Sequence, residues 1–321
     1  MRRVLLALGL AWSFLVPTVA PAAAAGSGTL RIVVLPVTDA LPIHLALGRK
    51  AFEAAHLNVT CVFAASAGER DQLLQAGKAD AVITDLIALA LYNQGGLPMV
   101  AVRYSMKATP GHPQFRLVAG GETATRPAGV PALRGKSVAV SNGTVCEYVT
   151  ARLLAAGGLD DRTVTLQGVP AIAVRLALLR SGRVAAATLP EPLASLAELQ
   201  GAATLADDAR TPVPGSCSVF AFTCAFATAN PEAVRSFIKV VDAMADALAH
   251  DPGQADRLLL EHQLLPPGLA GQYTVPPFPP DGVPQAAQWA DVCDWLKASE
   301  RLKQDIPWSS VVTTNFLPAH D

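Results

Sequence analysis

The chain has 321 residues, 25 basic against 26 acidic side chains, a formal net charge of −1 and an apolar fraction of 51%. Near-balanced charge without a basic patch gives no sign of nucleic acid or an anionic membrane surface as a partner, and none is expected. An aromatic fraction of 6% argues against a stacking platform for sugars or bases, while the length suits two domains or two lobes, each with a core.

Arg2 and Arg3 precede an apolar run from Val4 to Val16, and Pro17 and the small residues Ala22 to Ala25 follow. This is the pattern of a cleavable export signal over 1–25, with cleavage near Ala25-Gly26. The run is too short for a comfortable membrane span. No cysteine occurs before Cys61, so the expectation is a soluble, exported chain without a lipid anchor.

Leu30 to Leu35 reads as a buried first strand, ended by Pro36. Asp39 is placed to cap a helix from about Leu41 to Ala54, with Pro42 tolerated in its first turn. A strand over Val59–Phe63 leads to Ser66-Ala67-Gly68-Glu69, a capping box that opens the next helix. Gly77 stops that helix, because glycine accepts positive φ without a Cβ penalty. The apolar run Ala81-Val82-Ile83 reads as a strand covered on both faces. Thr84 and Asp85 can then accept hydrogen bonds from the free N–H groups of the following helix. A helix from Leu86 to Gln94 and a strand from Met99 to Tyr104 complete this unit.

Phe115–Ala119 is expected to leave the first lobe, and the Gly-, Thr- and Pro-rich stretch from Gly120 to Pro131 to cross to a second. There a strand over Ser137–Val140 precedes Ser141-Asn142-Gly143-Thr144, with Thr144 and Glu147 again at capping-box spacing. Strands near Val164–Leu166 and Val184–Thr188 flank a helix from Ala171 to Arg180. Pro190-Glu191-Pro192 is expected to start a helix. Ala203-Thr204-Leu205 reads as a short strand, and Val219–Ala227 as the return. Helices over 231–249, 252–262 and 285–301 follow, with Pro276 to Pro280 separating the last two.

The pattern repeats. Leu73 to Ala81 (helix end, glycine, basic residue, small apolar strand) returns at Leu178 to Ala186. Two copies of a strand–helix–strand–helix unit are expected, with lobe 1 formed by 26–119 and 219–321 and lobe 2 by 120–218. The fold class is therefore α/β. Five cysteines leave at least one thiol unpaired. Cys217 and Cys224 flank an apparent strand whose extended length of roughly 23 Å exceeds the 7 Å or so that a disulfide spans. No cysteine or histidine cluster has metal spacing, and neither a nucleophile–base pairing nor a Gly-Lys-Ser/Thr phosphate loop occurs. No catalytic residue, metal or cofactor is expected.

In open α/β sheets the ligand crevice lies outside the carboxyl ends of the strands. The turns there supply the candidate ligand-binding residues Asp39, Ala40, Ser66, Ala67, Thr84, Asp85, Asn142, Gly143, Thr144 and Glu191. Taken together, Leu35-Pro36, Asp39-Ala40-Leu41-Pro42, Ala76 to Ala81, Leu133 to Lys136, Ser141 to Tyr148, and Gly182-Arg183-Val184 with Leu189 to Pro192 resemble the periplasmic substrate-binding proteins of ABC importers. The resemblance is to the nitrate/sulfonate/taurine and thiamine-precursor group with the SsuA/THI5-like domain. It implies a two-lobed, type II-like periplasmic binding protein fold. Each lobe would be a mixed, mainly parallel sheet flanked by helices, and two hinge crossings would join them. It also implies a periplasmic monomer that hands a small-molecule solute to an ABC permease.

The solute could be a sulfonate, an oxyanion, a zwitterion or a pyrimidine-like compound. Helix N-termini favour anions, and Asn142-Gly143-Thr144 is the best anion cradle by sequence. Asp39, Asp85 and Glu191 oppose a bare anion, which motivates a zwitterion. Each residue also has a structural reading: Asp39, Ser66, Asp85 and Thr144 are good caps. Glu191 is least explained by capping. Two further classes stay open: a THI5-like pyrimidine-precursor enzyme, whose cysteine-rich motif is missing here, and a ligand-sensing subunit for a receptor.

Overall fold

The computed structural model of the chain describes residues 29–125, 129–279 and 282–318; the expected export segment lies outside them. The first unit runs β1 (Leu30–Val34), α1 (Leu41–Gly48), α2 (Ala51–Ala54), β2 (Val59–Phe63), α3 (Ala67–Gln75), β3 (Ala81–Asp85), α4 (Leu86–Gln94) and β4 (Met99–Lys107). The second runs β5 (Phe115–Ala119), α5 (Gly121–Thr125), β6 (Ser137–Val140), α6 (Val145–Ala156), β7 (Thr165–Gly168), α7 (Ile172–Arg180), β8 (Ala186–Pro190), α8 (Leu193–Leu199) and β9 (Ala203–Asp207). The chain returns through β10 (Cys217–Thr223) to α9 (Cys224–Ala229), α10 (Pro231–His250), α11 (Pro252–Glu261), α12 (Ala286–Ala298) and α13 (Trp308–Val311).

Two five-stranded mixed sheets result, ordered β2-β1-β3-β10-β4 and β7-β6-β8-β5-β9. In each, three parallel strands come from the repeated unit, one strand (β10 or β5) runs antiparallel to them, and the edge strand (β4 or β9) pairs antiparallel with that one. The repeat is thus real at the level of topology: β1, β2 and β3 correspond to β6, β7 and β8. Both glycine stops adopt the left-handed conformation expected of them, Gly77 at φ 65° and Gly182 at φ 67°. Each closes the helix that feeds the next buried strand.

One strand changes lobes relative to the sequence reading. Phe115–Ala119 does not end the first sheet; it lies in the second, antiparallel to β8 and β9. The crossings between sheets therefore run through 108–114 and 208–216. The stretch after Gly120 connects β5 to β6 within the second lobe. The same pairing draws β8 out to Pro190, opposite Phe115, so the helix expected to begin at Pro190 begins at Leu193. All five cysteines are free, and Cys217 and Cys224 stand at opposite ends of β10.

Asp208 ties the crossings together. Its buried carboxylate accepts the N–H groups of Gln114 (2.9 Å) and Phe115 (3.2 Å) and the Ser216 hydroxyl (2.5 Å). Removing it leaves these donors without an acceptor, so Asp208→Ala is expected to cost roughly 3 kcal/mol. Asp208→Asn, which keeps one acceptor oxygen for the two backbone N–H groups, should cost less. Denaturant unfolding of both variants measures the difference.

The core is shared between lobes. One apolar cluster joins Val33, Val82 and Leu86 of the first lobe to Val138 and Tyr148 of the second through Trp289, Val292 and Leu296 of α12. Polar contacts fasten the same flank: Arg301 forks onto Glu147 (2.7 and 2.8 Å), and Asp291 receives Tyr148 and Arg152. On the other flank, Leu264, Leu265 and Leu269 join Leu41 and Leu45 of α1 to Leu176 and Leu196 of the second lobe. The tail follows β4, with Val312 bridging Ala101.

His44 on α1 is buried with both ring nitrogens unpartnered, stacked against Phe63 and 4.0 Å from the His262 ring. Burial first, and His262 second, push its pKa down to about 4. The unfolded chain takes up this proton near pH 6.5 and the folded chain does not. This share of stability is therefore complete above about pH 6.5 and is lost as pH falls toward 4. Melting curves from pH 4 to 7 should show His44→Leu to be less acid-sensitive than the native chain.

Candidate functional site

A cleft of about 110 Å³ lies between the sheets, walled by the strand-to-helix turns of both lobes. Six of the ten residues picked from sequence line it: Asp39, Ala67, Thr84, Asp85, Thr144 and Glu191. The other four do not. Ala40 is wholly buried in the first-lobe core, and Ser66 is turned to capping α3. Asn142 is exposed, with its side chain over Gly168. The Gly143 N–H is taken by Glu147 at 2.6 Å, so the turn read as an anion cradle is answered from within the protein.

The caps sort these residues further. Ser66 accepts the Glu69 N–H, Asp85 the Ala88 N–H and Thr144 the Cys146 N–H. Both expected capping boxes are offset by one residue, because Glu69 reaches Ala65 N–H and Glu147 reaches Gly143 N–H. Asp39, expected to cap α1, caps nothing; it sits in a 3-10 turn over Thr38–Ala40, and Ala40 holds the cap position. One of its carboxylate oxygens is buried without a partner. Burial raises the Asp39 pKa to about 6, against the opposing pull of Ser218 and Arg70.

Glu191, 4% exposed, is well answered. The Arg116 guanidinium lies 2.7 Å from its carboxylate, and the Ser195 hydroxyl donates to it at 2.7 Å. Burial still holds its pKa above the usual carboxylate range, with Arg116 opposing.

Two cationic cleft residues escaped the sequence reading: Arg70, 3% exposed, and Arg175, 2% exposed. Each is the fourth residue of its helix and stands seven residues before its lobe's glycine stop. They are therefore equivalent positions of the repeat, a signal present in the sequence. Their surroundings differ. Arg70 donates to Asp71 at 2.9 Å and faces Asp85 at 3.6 Å. Arg175 donates only to the backbone oxygens of Val169 (2.9 Å) and Pro170 (3.2 Å), and its Nε is buried without a partner. Among the described residues no carboxylate pairs with it.

Also among the described residues, no group of three or more His, Cys, Asp or Glu is arranged to hold a metal ion, and no helix is long and apolar enough to cross a membrane.

A sequence profile of the NMT1-like family matches residues 23–258. Comparison with curated proteins finds no match. Among solved structures, the alkanesulfonate-binding protein SsuA from Xanthomonas axonopodis pv. citri, bound to MOPS, is 22% identical. It superposes with a TM-score of 0.74 over 89% of this chain and 98% of that one. The periplasmic aliphatic sulphonate-binding protein SsuA from Escherichia coli is 20% identical, with a TM-score of 0.72 over 87% and 94%. The periplasmic nitrate-binding protein NrtA from Synechocystis PCC 6803 is 16% identical, with a TM-score of 0.61 over 72% and 65%. The two mixed sheets and their crossings are the periplasmic binding protein fold.

Proposed function

We propose, from the premise that this chain belongs to the NMT1-like family, that it is an extracytoplasmic solute-binding protein. It captures a small polar organic or anionic solute between its lobes and delivers it to an ABC permease. The observation that supports this most is Arg175, a buried cation on the cleft wall that lacks a carboxylate partner among the described residues. A buried charge is costly unless it is paired, and a solute with an anionic group would supply the missing partner. The named ligands of similar folds, a sulfonate buffer in one case and nitrate in another, are of that kind.

The chain is not read as an enzyme. Cys146 on the cleft wall points its thiol at the Thr188 carbonyl, and among the described residues no histidine lines the cleft. Capture works by population shift, with the solute favouring a closed arrangement of the lobes about the crossings at 108–114 and 208–216.

The test is a thermal-shift panel of sulfonates, oxyanions, amino acids, amines and pyrimidines, followed by small-angle scattering with any hit. A solute at a hundred times its dissociation constant adds about 2.7 kcal/mol and should raise the melting temperature by several degrees. Scattering should then show compaction. A bound solute that leaves the radius of gyration unchanged would refute closure.

A further inference from the structure

Both lobes carry an arginine at the equivalent place, and among the described residues only one of the two is met by carboxylates. In the first lobe Arg70 is met by Asp71 and Asp85. Asp39 stands on the same wall, drawn by Ser218 and Arg70, with one buried carboxylate oxygen that has no hydrogen-bond partner among the described residues. In the second lobe the acids and bases are reversed. Glu191 is held by Arg116 and Ser195, and Arg175 is left over, its Nε buried and unanswered. The cleft therefore presents an unsatisfied carboxylate oxygen from one lobe and an unsatisfied guanidinium nitrogen, with no carboxylate partner among the described residues, from the other.

We infer that the cleft takes a compact zwitterion, its cationic end at Asp39 in the first lobe and its anionic end at Arg175 in the second. The inference rests on the solute-binding reading and makes it specific. A simple anion that reaches Arg175 leaves the Asp39 carboxylate on the wall of the same small cleft. A simple cation at Asp39 meets Arg175 in the same way. Like charges in such a site are strongly disfavoured. A solute with both charges satisfies both orphaned atoms at once, and it can do so only when the lobes come together. Recognition and closure are then one event. The cleft volume of about 110 Å³ sets the scale at a few heavy atoms between the charges.

The experiment is isothermal titration of the exported chain with matched probes: 2-aminoethanesulfonate against ethanesulfonate, β-alanine against propionate, and propylamine as the cation alone. At least one amino acid of the two pairs should bind tenfold or more tighter than its deaminated isostere, with propylamine weak. Asp39→Asn should erase that gap while keeping a native melting curve. If the variant does not fold, the gap measured on the native chain decides the matter. Ethanesulfonate or propionate binding as tightly as its amine-bearing counterpart would overturn the inference and leave the solute-binding reading intact. If no probe binds, the compact zwitterion is wrong. Mass spectrometry of small molecules released on denaturing the purified chain then judges the broader reading separately. A released solute of single charge sustains that reading; no solute and no compaction with any panel compound defeats it as well.

Discussion

Arg175→Met is expected to weaken solute binding about a hundredfold or more without unfolding the protein. Truncating one partner of a buried, hydrogen-bonded charge pair costs about 2–5 kcal/mol, and each 1.4 kcal/mol is about tenfold in affinity. Methionine keeps the apolar stem and removes a cation whose only partners among the described residues are the carbonyls of Val169 and Pro170, so the melting temperature should change little. Arg70→Met is the contrasting case. It strips the cation from Asp71 and Asp85 and leaves two carboxylates with uncompensated charge, at a cost of about 3–5 kcal/mol. Titration calorimetry with a binding solute, beside thermal melts of both variants, separates the two roles. Equal losses of stability in the pair would mean that Arg175, too, is part of the scaffold.

Tyr148→Ala is expected to lower stability by about 3–5 kcal/mol, the usual range for deleting a large buried aromatic. In a protein of this size that is a fall of roughly 10 °C in melting temperature. The ring is 0% exposed and meets Trp295 edge-on at 5.5 Å. Its hydroxyl donates to Asp291 on α12 and accepts the buried Gly215 N–H at 3.1 Å. Tyr148 thus joins the second lobe both to the C-terminal helix and to the returning crossing. Tyr148→Phe isolates the hydroxyl and should cost about 1–3 kcal/mol. Denaturant melts of the two variants give the packing and polar shares by difference. If alanine costs no more than phenylalanine, the ring does not hold the lobes together.

The arginine pair shows what was legible and what was hidden. Aligning the two glycine stops and stepping back seven residues finds Arg70 and Arg175 together. A lone arginine in a helix reads as solvated surface, however, because charged side chains are seldom fully buried. Asp39 was legible as a cleft residue but not as an unpaired one. Its capping role looked as good in sequence as that of Asp85. Only the 3-10 turn over Thr38–Ala40 separates them, because it hands the cap position to Ala40 and frees the carboxylate. Asn142-Gly143-Thr144 went the other way, since its open N–H is filled by Glu147, a residue of its own helix that is itself pinned by Arg301 from 154 residues away.

By itself the sequence determined the local units: strands over Leu30–Leu35, Ala81–Ile83 and Ser137–Val140, the first two of which the structure shifts by one or two residues at their ends, the helix stops at Gly77 and Gly182, the caps at Ser66 and Asp85, and the doubling of the strand–helix pattern. These follow from backbone preferences and short-range hydrogen bonds, which act over a few residues and leave a mark in them. The tertiary structure alone decided which sheet Phe115–Ala119 joins, where the crossings fall, and which of several similar acids and bases keeps a free charge. Strand partnership depends on ladder hydrogen bonds between distant segments. The charge state of a site depends on every group packed around it, whatever its distance along the chain.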